Sequence, residues 1–473
     1  MKTMTLYETV SGRIEHLISH GTYRSGDRIP SVRELSLRMK VSVSTVMEAY
    51  RLLEDRSLIE CRPQSGYYVK PAFPGRLAEP ETSSPDVKPT NVNVSELAMM
   101  VMQDTRKTGL IQLGAAIPNA ELLPVDRLNR TFSAAARRHG VRSLSYEFAP
   151  GLEALRVQIA KRALSAGCAM TPDELIITSG CQEAIFLALQ VICRPGDTIA
   201  IESPTFYNFF QAIEALRLRA LEIPTHPRDG VCIDTLRRVL KRNKVAAGLF
   251  TPNFNNPLGS CMPDDRKNEL VQLLADRGIP LIEDDIYGDL AYSIHRPKTA
   301  KAFDKTGNVL LCSSFSKTLA PGYRVGWIAP GHLYAEILRL KSVSSLGTAT
   351  PTQLAIASFL SDGGYDRHLR KVRKIYARNA VLMAEAVSAH FPEGTRVTRP
   401  QGGQVLWVEL PRKGDSLALY EKARKAGISI APGPIFSSQR KYRNFFRLNS
   451  AMWSDKIRDA VALLGKFAGK DKA

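Results

Sequence analysis

This chain of 473 residues is poor in the features that mark exported or membrane proteins. It has no C-x-x-C pair, and its seven cysteines (Cys61, Cys168, Cys181, Cys193, Cys232, Cys261 and Cys312) are scattered and odd in number. A disulfide framework and a zinc site are therefore excluded, and a reducing compartment is expected. No stretch is long and apolar enough to span a bilayer. The opening residues, M-K-T-M-T-L-Y-E-T-V-S-G-R-I-E, lack the apolar core of a signal peptide. The expected location is the cytoplasm. Acidic residues are also in short supply, 46 Asp+Glu against 65 Lys+Arg, which leaves a formal net charge of +19. That balance suggests a polyanionic partner. Residues 1–70 hold 11 basic and 8 acidic side chains, so the other 403 residues carry +16 of the total. If nucleic acid is the partner, the larger part of the chain is expected to touch it too.

What is present is globular: 44% hydrophobic and 23% charged residues over a length that accommodates about three domains. Leu6, Val10, Ile14, Leu17 and Ile18 recur at helical spacing, and Gly21 ends that helix. Ser31 followed by Glu34 reads as a capping box for a second helix after Pro30, with Val32, Leu35 and Met39 facing inward. A turn at Lys40 and Val41 leads to Ser42, which caps a third helix buried through Val46, Ala49, Tyr50 and Leu53. The stretches Leu58–Arg62 and Gly66–Lys70, joined through Pro63-Gln64-Ser65, form a β-hairpin wing. Helix, short helix, helix and wing make a winged helix-turn-helix.

The motif G-T-Y-R-S-G-D-R-I-P-S-V-R-E-L, followed by S-V-S-T-V and G-Y-Y-V, resembles the DNA-binding domain of the GntR family. The resemblance implies that Arg33, Ser42, Ser44 and Thr45 meet DNA, with Arg62, Gly66 and Tyr67 in the wing. Many members place an arginine where this chain has Val43, so a bidentate contact to guanine is missing there. The operator preference is therefore not carried over.

Residues 71–94 hold five prolines (Pro71, Pro74, Pro80, Pro85 and Pro89) among polar residues without an apolar period, and read as an extended, semi-flexible linker. From about Glu174, short apolar strands alternate with amphipathic helices: Leu175–Thr178, Thr198–Glu202, Ala220–Ile223, Ala246–Thr251, Pro280–Glu283, Val309–Ser313 and Arg324–Ile328. The pattern predicts a mostly parallel sheet covered on both faces. Beyond Phe359, a long helix, the strands Val405–Leu410, Ile428–Ile430 and Phe445–Leu448, and a last helix predict a smaller α+β domain. The expected domains are a winged helix over 1–70, a linker over 71–94, a large domain over 95–358 and a small one over 359–473.

The stretch S-S-F-S-K-T-L-A-P-G-Y-R-V-G-W, Ser313 to Trp327, concentrates chemistry. Lys317 follows the alternate serines Ser314 and Ser316, and Arg324 comes seven residues later. An imine-forming lysine needs cations or burial to lower its pKa. An anion needs hydroxyls, an arginine and free backbone N–H groups, and S-G-C-Q-E-A after the strand Leu175–Thr178 offers the N–H groups of Cys181 and Gln182 at a helix start.

This stretch resembles the cofactor-lysine signature of fold-type I pyridoxal phosphate (PLP) enzymes, the aminotransferase class I/II family, and the likeness covers roughly residues 110–470. It implies a fold-type I architecture with PLP held as an internal aldimine on Lys317. Asp284, in E-D-D-I-Y-G, matches the acid on the pyridine nitrogen, with Asp285 as its rival; the D-x-x-Y spacing favours Asp284. Tyr287 and Asn256 match the pair that binds the ring O3′. Phe206 matches the stacking ring, while Ser314, Ser316 and Arg324 complete the phosphate site. Tyr146 resembles the tyrosine that reaches the phosphate from the partner subunit, and Arg447 resembles the arginine that clamps a substrate α-carboxylate. A basic run on the predicted long helix, Arg367, Arg370, Lys371, Arg373, Lys374 and Arg378, reads either as a solvated face or as a track for DNA backbone.

A winged helix fused to an aminotransferase-like domain is similar to the MocR/PdxR subfamily of bacterial transcription regulators. The resemblance implies a PLP-dependent regulator that binds double-stranded operator DNA and responds to an amine, an amino acid or a vitamin B6 species. It also implies a domain-swapped homodimer in which each winged helix reaches over the partner's large domain. Two other readings stay open: a working aminotransferase carrying a DNA-binding arm, and a constitutive DNA-binding protein with a vestigial cofactor site.

Overall fold

The computed structural model describes residues 5–469 except 21, 24, 25, 57, 63, 64, 71, 72, 74–76, 108 and 294. Gly21 as a helix end, Pro63 and Gln64 in the wing turn, and Pro71 and Pro74 lie outside the described residues. The chain divides into two compact units, Met1–Gly75 and Arg76–Ala473.

The first unit contains α1 (Leu6–Ser19), α2 (Val32–Met39) and α3 (Val43–Asp55), then β1 (Ile59–Arg62) and β2 (Gly66–Val69). The two strands pair antiparallel, with Arg62 opposite Gly66. Its core includes Val10, Ile14, Leu35, Val46, Ala49, Tyr50 and Leu53 from the stripes that the helical spacing predicts, with Val69 from the hairpin. Leu6, expected on the first stripe, is exposed because it stands at the first residue of α1. The Ser31 side chain accepts from Glu34 N–H at 3.2 Å, but the expected capping box is only half formed because Glu34 turns away to pair with Arg38 at 2.6 Å. A full box forms instead at Thr5 and Glu8, where the carboxylate takes both the N–H and the hydroxyl of Thr5.

The second unit begins with β3 (Thr90–Asn91), α4 (Ser95–Asp104), β4 (Ile111–Gln112), α5 (Val125–His139) and α6 (Glu153–Ala163). There follow β5 (Ile176–Thr178), α7 (Cys181–Ile192), β6 (Thr198–Ser203), α8 (Tyr207–Ala215), β7 (Arg219–His226), β8 (Gly230–Val231), α9 (Ile233–Val239) and β9 (Ala247–Phe250). Next are α10 (Asp264–Ala275), β10 (Leu281–Asp284), β11 (Val309–Ser314), β12 (Gly326–Ala329), α11 (Tyr334–Ser345), α12 (Thr350–Ser361) and α13 (Gly364–His390). The chain closes with β13 (Arg396–Val397), β14 (Val405–Glu409), α14 (Ser416–Lys425), β15 (Ile428–Ser429), β16 (Ala431–Pro432), β17 (Phe445–Asn449) and α15 (Asp455–Gly469).

The main sheet runs β3-β7-β6-β9-β10-β11-β12-β5. β7, β6, β9, β10 and β11 are parallel, whereas β12 is antiparallel to both β11 and β5. Strands such as β6 and β10 are buried at every position, because helices cover both faces. A second sheet, β13-β14-β17-β16, forms the smaller lobe. The strand expected at Ile428–Ile430 is divided: Ile428–Ser429 pairs with β4, and Ala431–Pro432 pairs with β17. The smaller lobe thus recruits chain from near residue 111, a long-range pairing that strand propensity does not reveal.

The expected linker differs most. From Leu77 onward it is an extended strap on the second unit: Arg399 donates to the Leu77 carbonyl at 2.6 Å and Val397 N–H to the Ala78 carbonyl at 3.0 Å. Ser83 N–H donates to the Thr225 carbonyl at 3.2 Å, and Thr90 pairs with Ala220. A proline-rich segment without an apolar period forms no helix, but its carbonyls are satisfied by neighbours far away in sequence.

Candidate cofactor site and nucleic-acid interface

The ends of five strands of the main sheet meet at one cavity of about 170 Å³, the edge of a parallel sheet where ligands bind. Cys181 and Gln182 follow β5, Phe206 and Asn208 follow β6, and Thr251 and Asn256 follow β9. Asp284, Ile286 and Tyr287 come from the end of β10, and Ser314, Ser316 and Lys317 from the end of β11. Arg324, just before β12, completes the wall because the antiparallel β12 starts at this same edge.

Lys317 Nζ donates to the Ala116 carbonyl at 2.6 Å. Burial pulls its pKa down to about 8, with Arg447 and Arg324 adding to the fall and Asp284 opposing it. An amine depressed this far is neutral at pH 7 roughly two orders of magnitude more often than an ordinary lysine. Asp284 is buried and accepts from the Cys181 thiol at 3.3 Å and the Ile286 N–H at 3.1 Å. Burial pushes its carboxyl up to about 7. Asp285 points elsewhere, to the guanidinium of Arg296 and the Asn253 amide. Strand alternation thus separates the two aspartates, and only Asp284 faces the cavity. Asn256 Nδ2 donates to the Tyr287 hydroxyl at 3.3 Å, and burial holds that phenol above its usual range.

The anion cradle is built around Arg324. Its Nη1 donates to Ser316 Oγ at 3.2 Å and its Nη2 to the Ser179 carbonyl at 2.9 Å. Arg324 itself sits in the left-handed region at φ 52°. Gly180, at φ 92°, is required here, since a Cβ would sit against the Arg324 guanidinium. The first N–H groups of α7, at Cys181 and Gln182, have no partner inside the helix and face the same space.

The sequence did not reveal what braces this cradle. Glu183 takes the Ser179 N–H at 2.5 Å and pairs through both oxygens with the fully buried Lys341 of α11, at 3.0 and 2.8 Å. The sequence also gave no sign of Asn208, whose buried Oδ1 has no partner and lies in the cavity wall. Arg447 is wholly buried; Nη1 donates to Asn256 Oδ1 at 2.8 Å, Nη2 to the Gly114 carbonyl at 2.5 Å, and Nε has no partner. Tyr146 is not brought to the cavity. It stands 76% exposed, stacked on Phe148.

In the first unit, Arg33, Ser42, Ser44 and Arg62 are exposed, and Thr45 and Gly66 are half-buried. Ser42 Oγ accepts from Thr45 N–H at 3.1 Å as the cap of α3 and bonds the Ser44 and Thr45 hydroxyls. Tyr67 faces inward and packs edge-on against Tyr50 at 4.7 Å. Arg62 lies over the Tyr68 ring and pairs with Glu60. The exposed surface of α3 also presents two apolar side chains, Val43 and Met47.

A neutralisable lysine, a buried acid and an anion cradle at one edge of a mixed sheet define the second unit as a fold-type I PLP domain. The chain belongs to the aminotransferase class I and II family, whose model matches residues 120–464, and residues 6–69 match the model of bacterial regulatory proteins of the gntR family. It is similar to the uncharacterized HTH-type transcriptional regulator YjiR of Escherichia coli K12, at 37% identity over 98% of both chains. It is also similar to aromatic-amino-acid aminotransferase 1 of Thermococcus litoralis, at 30% identity over 76% of this chain and 87% of that one. Among solved structures, a Pyrococcus horikoshii kynurenine aminotransferase in complex with PMP superposes with a TM-score of 0.74 at 29% identity, over 80% of this chain and 95% of that one. PLP is the cofactor of this family, and the residues here fit it: a cation, a helix start and hydroxyls for the phosphate, and an unpartnered Asn208 oxygen in the wall. No helix among the described residues is long and apolar enough to cross a membrane.

Proposed function

We propose that this protein is a PLP-dependent transcription regulator that binds operator DNA through the first unit and senses an amino compound or a vitamin B6 species at Lys317. The observation that carries the reading is the convergence of Lys317, Asp284, Tyr287, Asn256 and Arg324 on one cavity in a chain that also has a winged helix. When bound, the cofactor supplies an electron sink. Lys317 offers a neutral amine for covalent attachment. Asp284 holds the ring nitrogen's proton, while Tyr287 and Asn256 orient the ring oxygen. Ser316, Arg324 and the start of α7 fix the phosphate, Phe206 covers the ring, and Arg447 selects ligands with a carboxylate. Exposed Tyr146 reaches the partner subunit's site in a homodimer.

Arg447 also fits a second reading, a working aminotransferase, because a carboxylate clamp serves turnover of an amino acid as well as sensing of one. An absorption titration of purified protein with PLP and a panel of amines and amino acids separates the two. A band that shifts and stays shifted supports sensing; one that decays to the amine form and recovers with a keto acid supports turnover. The absence of any protein-bound band would defeat both.

A further inference from the structure

The inner face of α13 is anchored beside the cofactor site. Tyr365 donates to Thr318 Oγ1 at 2.8 Å, His368 Nε2 lies 2.8 Å from the Thr318 carbonyl, and Arg373 Nε donates to the Asp289 carbonyl at 2.7 Å. Tyr365, Leu369, Val372 and Tyr376 are buried beneath it. The outer face is different in kind. Arg367, Arg370, Lys371, Lys374 and Arg378 are all exposed, and no ion pair or hydrogen bond engages their side chains among the described residues. At 100° per residue the five lie within an arc of about 100° and extend about 16 Å along the axis. Asp366, the single acid in this part of the helix, is taken by Arg162 at 2.8 Å.

Several arginines elsewhere in the second unit are paired: Arg237 with Asp234 and Glu269, Arg266 with Glu269, Arg396 with Glu81, and Arg458 with Asp455. What distinguishes α13 is five exposed cations gathered on one helix face. Like charges at i and i+4 destabilise a helix. An uncompensated row on a helix held rigid from behind is thus an electrostatic cost with no return inside the fold. A duplex presents one negative charge per ~1.7 Å of axis, so a row of this length meets several phosphates.

We infer that the outer face of α13 is a second DNA-contact surface, binding the sugar-phosphate backbone of duplex DNA without reading its sequence. The inference rests on the proposed DNA-binding function and assigns part of the large positive charge of the second unit to it.

The test is the salt dependence of binding by full-length protein to a random-sequence duplex of ~60 bp. The R370Q/K374Q/R378Q variant is compared with K241Q/R242Q/K244Q, which removes equal charge from the exposed residues after α9. Both should keep the cofactor absorption band and melting temperature of the parent, which certifies folding. The α13 variant should lower the slope of log K against log salt by about 2–3, and the control by less than ~1. Equal slopes for the two variants, or a change of oligomeric state in the α13 variant with an unchanged slope, would overturn the inference. Failure of the parent itself to bind duplex DNA would instead sink the DNA-binding reading on which it rests.

Discussion

Arg447 Nη1 donates to Asn256 Oδ1 at 2.8 Å, and this bond decides which way the Asn256 amide points. With the oxygen committed to the guanidinium, Nδ2 turns to the Tyr287 hydroxyl at 3.3 Å. The group proposed to select carboxylates therefore also orients the pair proposed to hold the ring oxygen. Arg447→Gln should lose the spectral response to α-amino acids, weakening it by at least ~100-fold as a charge-assisted contact is removed. Its response to amines without a carboxylate should fall far less. Equal loss for both ligand classes would show that Arg447 acts only through Asn256.

Lys317 should capture PLP with a pH midpoint near 8, because the neutral amine is the nucleophile and its fraction rises as pH climbs through its pKa. An unperturbed lysine would rise only near 10.4. Stopped-flow absorption from about pH 6.5 to about 11, which brackets both values, reads the midpoint directly. Lys317→Arg should abolish the covalent band at every pH.

Asp284→Asn removes the buried acid and keeps its shape. Any amine exchange or half-transamination in single turnover should slow by about 10²–10³, the scale of losing one pre-organised electrostatic contact. DNA binding by the cofactor-free protein should remain at the parent level. A rate within about tenfold of the parent would remove Asp284 from the role proposed.

Lys341→Met leaves the half-buried Glu183 without its cation, a loss of about 1–3 kcal/mol. Thermal denaturation should show it. Because Glu183 also holds the Ser179 N–H, the affinity for PLP should fall more than that for phosphate-free pyridoxal. Lys341→Arg should restore part of both. The same fall for both ligands would mean that the pair supports the fold and not the cradle.

Ser42→Ala removes the cap of α3 and should cost the first unit about 1 kcal/mol. Met47→Ala, on the exposed face, should leave stability unchanged and weaken binding where thymine methyl groups are contacted. Melting curves and operator titrations together distinguish these effects.

Much of this protein was legible in the sequence because its signals are local. Helical spacing from Val10 to Leu53 reports buried stripes, and those stripes make most of the core of the winged helix. S-x-S-K with a later arginine is legible because a strand end, a tight loop and the next strand lie within fifteen residues. Glu34 shows where local reading stops: the box motif was present, but Arg38 offered its carboxylate a better partner. Lys341 and Glu183 are 158 residues apart, and Glu79 of the strap pairs with Arg228, 149 residues away. No periodicity links such residues. The sequence by itself determined the two kinds of unit, the loop that carries Lys317 and the uneven charge. Tertiary structure alone decided what braces the anion cradle and where the strap lies, because burial and pairing between distant segments arise only once the sheet has closed.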